Sequence, residues 1–361
     1  MHPTPPGDLF TGSNLTALLG RPLREIPIEA GVRELAGACV LVTGAGGSVG
    51  SRLIARLAAQ RPARVIALDS HEASLFRLGR DAPQELGLEL ELADVRNEVK
   101  LARLFRTVRP DIVIHLAAYK HVPIGERAPD EPVSVNVIGT NVLAQAAIAA
   151  GVRHLVYTSS DKAVNPPSVY GATKRLAEAL LHVHARQQAA TAFHVLRYVN
   201  IIGSSGSVIE TFATQVRAAA PLTITDGRMT RYWMAMDEAV ALSWHALGLP
   251  SGSHTMLDVG EPHLVRTLGE RVAKVIQPDG PPPTFIEMGA RPGERLAEEL
   301  TSGNERLVRR GDAPVWNIVR ERATAPPDFV SDMLMEIDKL LAGDDLDALR
   351  RRVMDYSQAL Q

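Results

Sequence analysis

Thr43-Gly44-Ala45-Gly46-Gly47-Ser48-Val49-Gly50 follows the apolar run Cys39–Thr43 and opens a helical pattern. Its glycines fall at 44, 47 and 50, a GxxGxxG spacing. At a strand-to-helix junction such glycines permit a tight turn, close approach of a pyrophosphate and tight helix packing, and the helix N-terminus adds unpaired N–H donors. Asp69 ends the next β-branched run, where a carboxylate can accept from both ribose hydroxyls of an adenosine. NAD is therefore expected over NADP, whose 2′-phosphate a carboxylate repels; Arg77 and Arg80, on the following helix, pull the other way. Asp94, in ADVRN, is expected at the adenine amino group, with a helix N-cap as the alternative. Gly44, Gly47, Ser48, Val49, Gly50, Asp69, Asp94, Val95, the Ala117-Ala118-Tyr119 stretch and Lys174 form the expected cofactor set.

Working outward, short β-branched runs alternate with longer helical patterns, the signature of a Rossmann-type doubly wound parallel sheet. Strands are expected at 39–43, 65–69, 89–92, 112–116, 154–159 and 192–198, all read as buried, with helices near 48–60, 73–79, 98–107, 132–150 and 170–188. Right-handed crossovers put the strand C-terminal ends on one edge, so the Gly-rich turn, Asp69, residues 117–119 and residues 160–162 should cluster there. The division expected is a lead-in segment at 1–37, a dinucleotide-binding domain at 38–200, a smaller substrate-binding lobe mainly at 201–325 and C-terminal helices at 326–361.

The 361-residue composition is globular, with 45% hydrophobic and 22% charged residues and a net charge of −2, which argues against a general nucleic-acid binder. The single cysteine, Cys39, reads as a buried strand position and precludes an intrachain disulfide. No metal is expected: His182 and His184 diverge on one helix, and no ligand spacing surrounds His115 or His121. The N-terminal stretch MHPTPPGDLF lacks a signal-peptide pattern, and no membrane-spanning run is read, so a cytoplasmic location is expected.

Ser160-Asp161-Lys162 is followed by Tyr170-Gly171-Ala172-Thr173-Lys174. A tyrosine and a lysine four apart share a helix face, so the Lys174 ammonium is expected to favour the ionised Tyr170 phenol, a base for an alcohol proton when hydride leaves the carbinol. Asp161 and Lys162 place an acid and a candidate base beside this pair.

These residues together resemble the extended short-chain dehydrogenase/reductases, and within them the polysaccharide-biosynthesis branch of UDP-N-acetylglucosamine 4,6-dehydratases. The resemblance is carried by LLGR at 18–21, VTGAGGSVGS at 42–51, HLAAYKHVP at 115–123, SSDKAVNP at 159–166, YGATK at 170–174, MTRYWM at 229–234 and RPGERLAEEL at 291–300. It implies that Tyr170, with Lys174 and Ser160, takes the sugar 4-OH proton as hydride passes to NAD. Lys162, as a neutral amine with a depressed pKa, would then remove the C5 proton while protonated Asp161 donates to the leaving 6-hydroxyl. It also places Lys120, His121, Asn200, Ser207 and Val208 at the sugar nucleotide, with Arg231, Arg291 and Glu294 at the diphosphate and nucleoside. A homo-oligomer is implied, paired through helices near 132–150 and 170–188. LLGR resembles the segment preceding this domain in membrane-anchored members; because no anchor run is read ahead of it, a soluble stand-alone version is expected.

Two departures touch the pocket: Val199 replaces the glycine of the usual RFGN or RYGN, and Ile124-Gly125-Glu126-Arg127-Ala128 replaces an LMEEN-like string. The competing readings are a nucleotide-sugar 4-epimerase, which needs Tyr170 and Lys174 but not Asp161 with Lys162, and a non-catalytic dinucleotide-sensing protein on the same fold.

Overall fold

The computed structural model describes residues 7–10, 12–309, 311–321 and 325–360; the remaining parts of the expected lead-in and C-terminal segments lie outside these. Six parallel strands come first: β1 (Cys39–Thr43), β2 (Arg64–Asp69), β3 (Glu89–Leu92), β4 (Ile112–His115), β5 (His154–Ser160) and β6 (Ala192–Tyr198). Three more join the same sheet from later in the chain: β7 (Ser253–Leu257), β8 (Glu305–Arg309) and β9 (Val315–Arg320). The order is β8-β9-β7-β6-β5-β4-β1-β2-β3, with β7 parallel to β6 and the β8–β9 hairpin antiparallel at the edge. The order reverses between β1 and β4, the crevice in which open α/β sheets bind ligands.

Side-chain alternation sorts the strands between two cores. Leu41, Leu155 and Tyr157 face one side, under α3 (Glu98–Val108), α4 (Asp130–Ala150) and α5 (Val169–Gln187). Val40, Val42 and Val156 face the other, under α1 (Ser48–Leu57), α2 (Glu72–Asp81) and α7 (Met236–Leu247). A third core gathers the helix Gly12–Leu19, α6 (Val208–Arg217) and α8 (Val265–Ile276) with the short strands of a smaller lobe. That lobe carries three two-stranded pairings, among them Asn200–Ile202 with Trp233–Ala235. Two C-terminal helices, α9 (Pro327–Leu341) and α10 (Leu346–Ala359), pack on the first core.

Several expectations need correction. The boundary at residue 200 does not end the sheet, because β7, β8 and β9 return to it. β3 is not buried: Leu90 and Leu92 are exposed at the sheet edge. One described helix, α4, is long and apolar enough to cross a membrane by length and composition, contrary to the reading of no such run; half of its most apolar window is buried within the protein. The expected pairing between subunits through 170–188 also conflicts with the packing. Residues 169–181 are continuously buried within one chain, because α10 and α9 cover the outer side of α5.

Candidate active site

Backbone sterics shape the first part of the site. Gly44 has φ +66°, and a Cβ there would stand 2.6 Å from the Ala117 nitrogen; one at Gly50 would stand 2.4 Å from the Gly44 carbonyl oxygen. The turn is therefore wrapped as tightly as glycine allows, with Ser48 and Val49 opening α1. The Gly46 amide donates to Asp69 Oδ2 at 2.9 Å, which sets the expected ribose carboxylate against the turn. Arg77 donates to Ser74 Oγ and Arg80 pairs with Asp81, so both guanidinium groups are engaged locally. Asp94 is paired with Arg96, whose hydrogen bonds hold its carboxyl below its usual range. The N-cap alternative fails: Asn97, not Asp94, caps α3, accepting from the Lys100 amide. Val95 lies buried against Gly139. These features fit a dinucleotide: a side-chain-free cradle, a helix N-terminus and a carboxylate beside it.

The Ala117-Ala118-Tyr119 stretch is fixed by a residue the motif reading passed over. Asn136, buried where α4 loosens into wider i to i+5 hydrogen bonds at 134–139, accepts from the Tyr119 amide and donates to both Tyr119 O and Thr173 Oγ1. One amide thereby ties the end of β4 to α5. Lys120 and His121 are exposed; Lys120 Nζ donates to Ser205 O, and the His121 ring lies against Gly206.

The chemistry-bearing residues sit where β5 ends and α5 begins. Ser168 caps α5 by accepting from the Gly171 amide, and Tyr170, Lys174, Ser160 and Asp161 are all buried. Asp161 Oδ1 accepts from Ser160 Oγ at 2.8 Å and from Lys162 Nζ at 3.1 Å. Its Oδ2 is buried without a hydrogen-bond partner among the described residues. Such an oxygen is costly unless something polar completes it. Lys162 Nζ also donates to Asn200 Oδ1 at 3.3 Å and lies 3.5 Å from Glu298 Oε1.

Two electrostatic expectations are reversed. Burial is the largest influence on Lys162 and pulls its pKa down, yet the carboxylates of Asp161 and Glu298 with the Tyr170 phenol outweigh it, and the ammonium is held above its ordinary range. Burial likewise raises the Tyr170 phenol, and the cation opposing that rise is Lys162, with help from a Ser160 hydrogen bond, not Lys174. Lys174 instead donates to Thr158 O at 2.8 Å, with its Nζ 4.7 Å from the Tyr157 ring centre. Burial pulls its ammonium down to about 7, against the charge of Glu178.

The remaining expected residues separate into two groups. Asn200 is brought to Lys162 and donates to Tyr232 O. Ser207 Oγ is buried and unpartnered among the described residues at the start of α6, beside Val208. Arg231 is buried, donating to Thr230 O, Arg295 O and Leu296 O, so a surface salt bridge does not describe it. Arg291 is exposed and Glu294 half-buried at the RPGE turn; the structure does not draw these two to Lys162. Glu298, absent from the expected set, is drawn there.

Comparison with known proteins matches residues 40–316 to a family described as polysaccharide biosynthesis protein. Among curated relatives, capsular polysaccharide biosynthesis protein CapD of Staphylococcus aureus is 36% identical over 80% of the chain; the chain covers 49% of that relative, about half its length. A UDP-N-acetylglucosamine 4,6-dehydratase (inverting) of Campylobacter jejuni is 33% identical over 74% of the chain and 78% of the relative. UDP-glucose 4-epimerase of Rickettsia akari is 30% identical over the same shares. Among solved structures, Pen from Bacillus thuringiensis superposes with a TM-score of 0.71 at 28% identity, covering 81% of this chain and 90% of that one. The dTDP-glucose 4,6-dehydratase DesIV of Streptomyces venezuelae, solved with NAD bound, gives a TM-score of 0.62 at 25% identity, covering 73% and 88%.

Proposed function

The chain belongs to the polysaccharide biosynthesis protein family of extended short-chain dehydrogenase/reductases, and from that premise we propose that it is a nucleotide-sugar 4,6-dehydratase acting on UDP-N-acetylglucosamine. The observation that carries the reading is the Asp161–Lys162 pair beside Tyr170, its carboxylate buried and its amine half-buried. A 4-epimerase has to remove and return hydrogen at C4 alone, whereas an elimination across C5 and C6 needs a base for the C5 proton and an acid for the departing hydroxyl.

Gly44, Gly47, Gly50, the start of α1 and Asp69 would hold the dinucleotide, taken as NAD because of that carboxylate. Bound there, it supplies a hydride acceptor that is restored within each turnover and a positive charge that favours an ionised phenol nearby. Tyr170, with Ser160 beside it, takes the 4-OH proton. Asn200 orients the Lys162 amine, and Ser207 with the first turn of α6 offers donors to a phosphate.

The raised Lys162 pKa does not oppose this mechanism, because the carboxylate that holds the ammonium proton in place also stands ready to receive it. Moving one proton across their 3.1 Å hydrogen bond turns ammonium and carboxylate into amine and carboxylic acid, with the proton count unchanged. The amine then takes the proton from C5, and the acid donates through the carboxyl group to the 6-hydroxyl as it leaves as water. The unpartnered Oδ2 marks the side of the carboxyl group open to that hydroxyl; the proton received on Oδ1 reaches that side when the carboxyl group turns about its Cβ–Cγ bond.

Incubation with UDP-N-acetylglucosamine without added reductant, read by mass spectrometry, is expected to give a product lighter by one water. An isobaric product would favour the epimerase reading. Both Val199 and the Ile124–Ala128 segment adjoin the motifs that define the pocket, so other UDP-, GDP- and dTDP-hexoses belong in the same assay.

A further inference from the structure

We propose that Glu298 is a positioning residue for Lys162: its carboxylate, shared between the Lys162 ammonium and the Arg231 guanidinium, fixes where the amine stands and how tightly its ammonium holds its proton. The inference rests on the dehydratase reading for the use of that amine, but its geometry does not.

Glu298 Oε1 lies 3.5 Å from Lys162 Nζ and 3.6 Å from Arg231 Nε, and its side chain is 6% exposed. It belongs to neither helix nor strand. Its segment is nevertheless pinned on both sides. Before it, Arg295 donates to Val164 O, and Leu296 O accepts from the Thr230 amide and from Arg231. After it, Glu299 accepts from Asn165, and Leu300 O accepts from Arg197. An irregular segment held at so many points presents a side chain with little freedom to lose, which is what orients a neighbouring group.

The neighbouring Glu299 supplies the contrast. It is 53% exposed and lies 3.8 Å from Arg295, a surface arrangement worth little. Glu298 instead sits where its charge is poorly screened, and the groups facing Lys162 are Asp161, Tyr170, Glu298, Arg231 and Asn200. Of these, Asp161 is hydrogen-bonded to the amine and is its partner in proton exchange, leaving Glu298, at 3.5 Å, as the carboxylate that takes no part in the exchange. Through Arg231 it also links the amine to the side of the pocket expected to hold the diphosphate.

The test is competitive acylation of the lysine amines across pH, with peptide mass spectrometry reporting the labelling midpoint of Lys162 and, as internal reference, the exposed Lys339. Glu298→Gln keeps the shape and removes the charge, and Glu299→Gln is the control. The expected result is a Lys162 midpoint lowered by about one pH unit or more in E298Q, unchanged in E299Q, with Lys339 unmoved in both. A Lys162 midpoint that stays put in E298Q, or Lys162 and Lys339 midpoints that move together, would overturn the proposal. With substrate in deuterated water, the rate of C5 exchange at neutral pH should change in E298Q and not in E299Q; equal rates in all three proteins also overturn it. If the wild type exchanges no deuterium with any nucleotide sugar tested, the dehydratase reading fails, while the labelling result still decides the role of Glu298.

Discussion

At the scale of single residues, the account turns on a division of labour between Tyr170 and the Asp161–Lys162 pair. Asp161→Asn keeps the Ser160 and Lys162 neighbours but cannot supply a carboxylic acid proton. Dehydration is expected to fall about 10²–10⁴-fold, the usual worth of general acid catalysis, while reduction of bound NAD by substrate in a single turnover persists. Equal loss of both steps, followed in a stopped-flow absorbance trace, would contradict the separation. The acid, the tyrosine and Lys174 were legible in the sequence because spacing alone puts them on one helix start and one strand end. Glu298 was not, since it lies in RLAEEL, more than a hundred residues from Lys162, where it looks like a charge on a solvated surface. The direction of the Lys162 and Tyr170 shifts was not legible either: it depends on which neighbours share a buried volume, and Glu298 is one of them.

At the scale of elements, α5 is the piece on which the site depends, and its burial comes from an unexpected quarter. Arg175 and Glu178, which in sequence resemble an exposed ion pair, enter a buried cluster with Arg197, Glu305 and Arg320 that ties α5 to β6 and to the β8–β9 hairpin. Strands β1, β4, β5 and β6 were readable because both faces are covered and their residues run apolar. Glu305–Arg309 and Val315–Arg320 were not, because Glu305 and Arg320 are paired inside the protein instead of facing water. Above α5, Leu349 and Val353 of α10 reach the core without exposure. Leu349→Ala is expected to cost about 2–5 kcal/mol, measured by chemical denaturation, and to loosen α5 enough to weaken activity. A loss well under 1 kcal/mol would mean that α10 rests on α5 without supporting it.

At the scale of the whole molecule, three buried histidines make the fold sensitive to acid. His115 lies between Thr43 and Thr140, His194 beside His154, and His254 in the cluster around Glu178. Burial pulls His115 and His194 down to about 3 and His254 to about 4, with nearby Lys174 and His154 adding to the first two and Glu178 opposing the last. Below their ordinary value of 6.5 the unfolded chain takes up protons that the folded chain refuses, so this contribution to stability is whole above that pH and is lost as pH falls toward the folded values. The melting midpoint is therefore expected to drop steadily from about pH 7 to about pH 4, and His194→Asn to flatten part of that drop. A midpoint flat over the range would contradict it. The measurement that bears most directly on the central claim is NMR of the nucleotide sugar after reaction in deuterated water. A dehydratase built on Asp161 and Lys162 gives a 4-keto-6-deoxy sugar carrying deuterium at C5. A C4 epimer with no deuterium at C5 would mean that the pair does not perform an elimination.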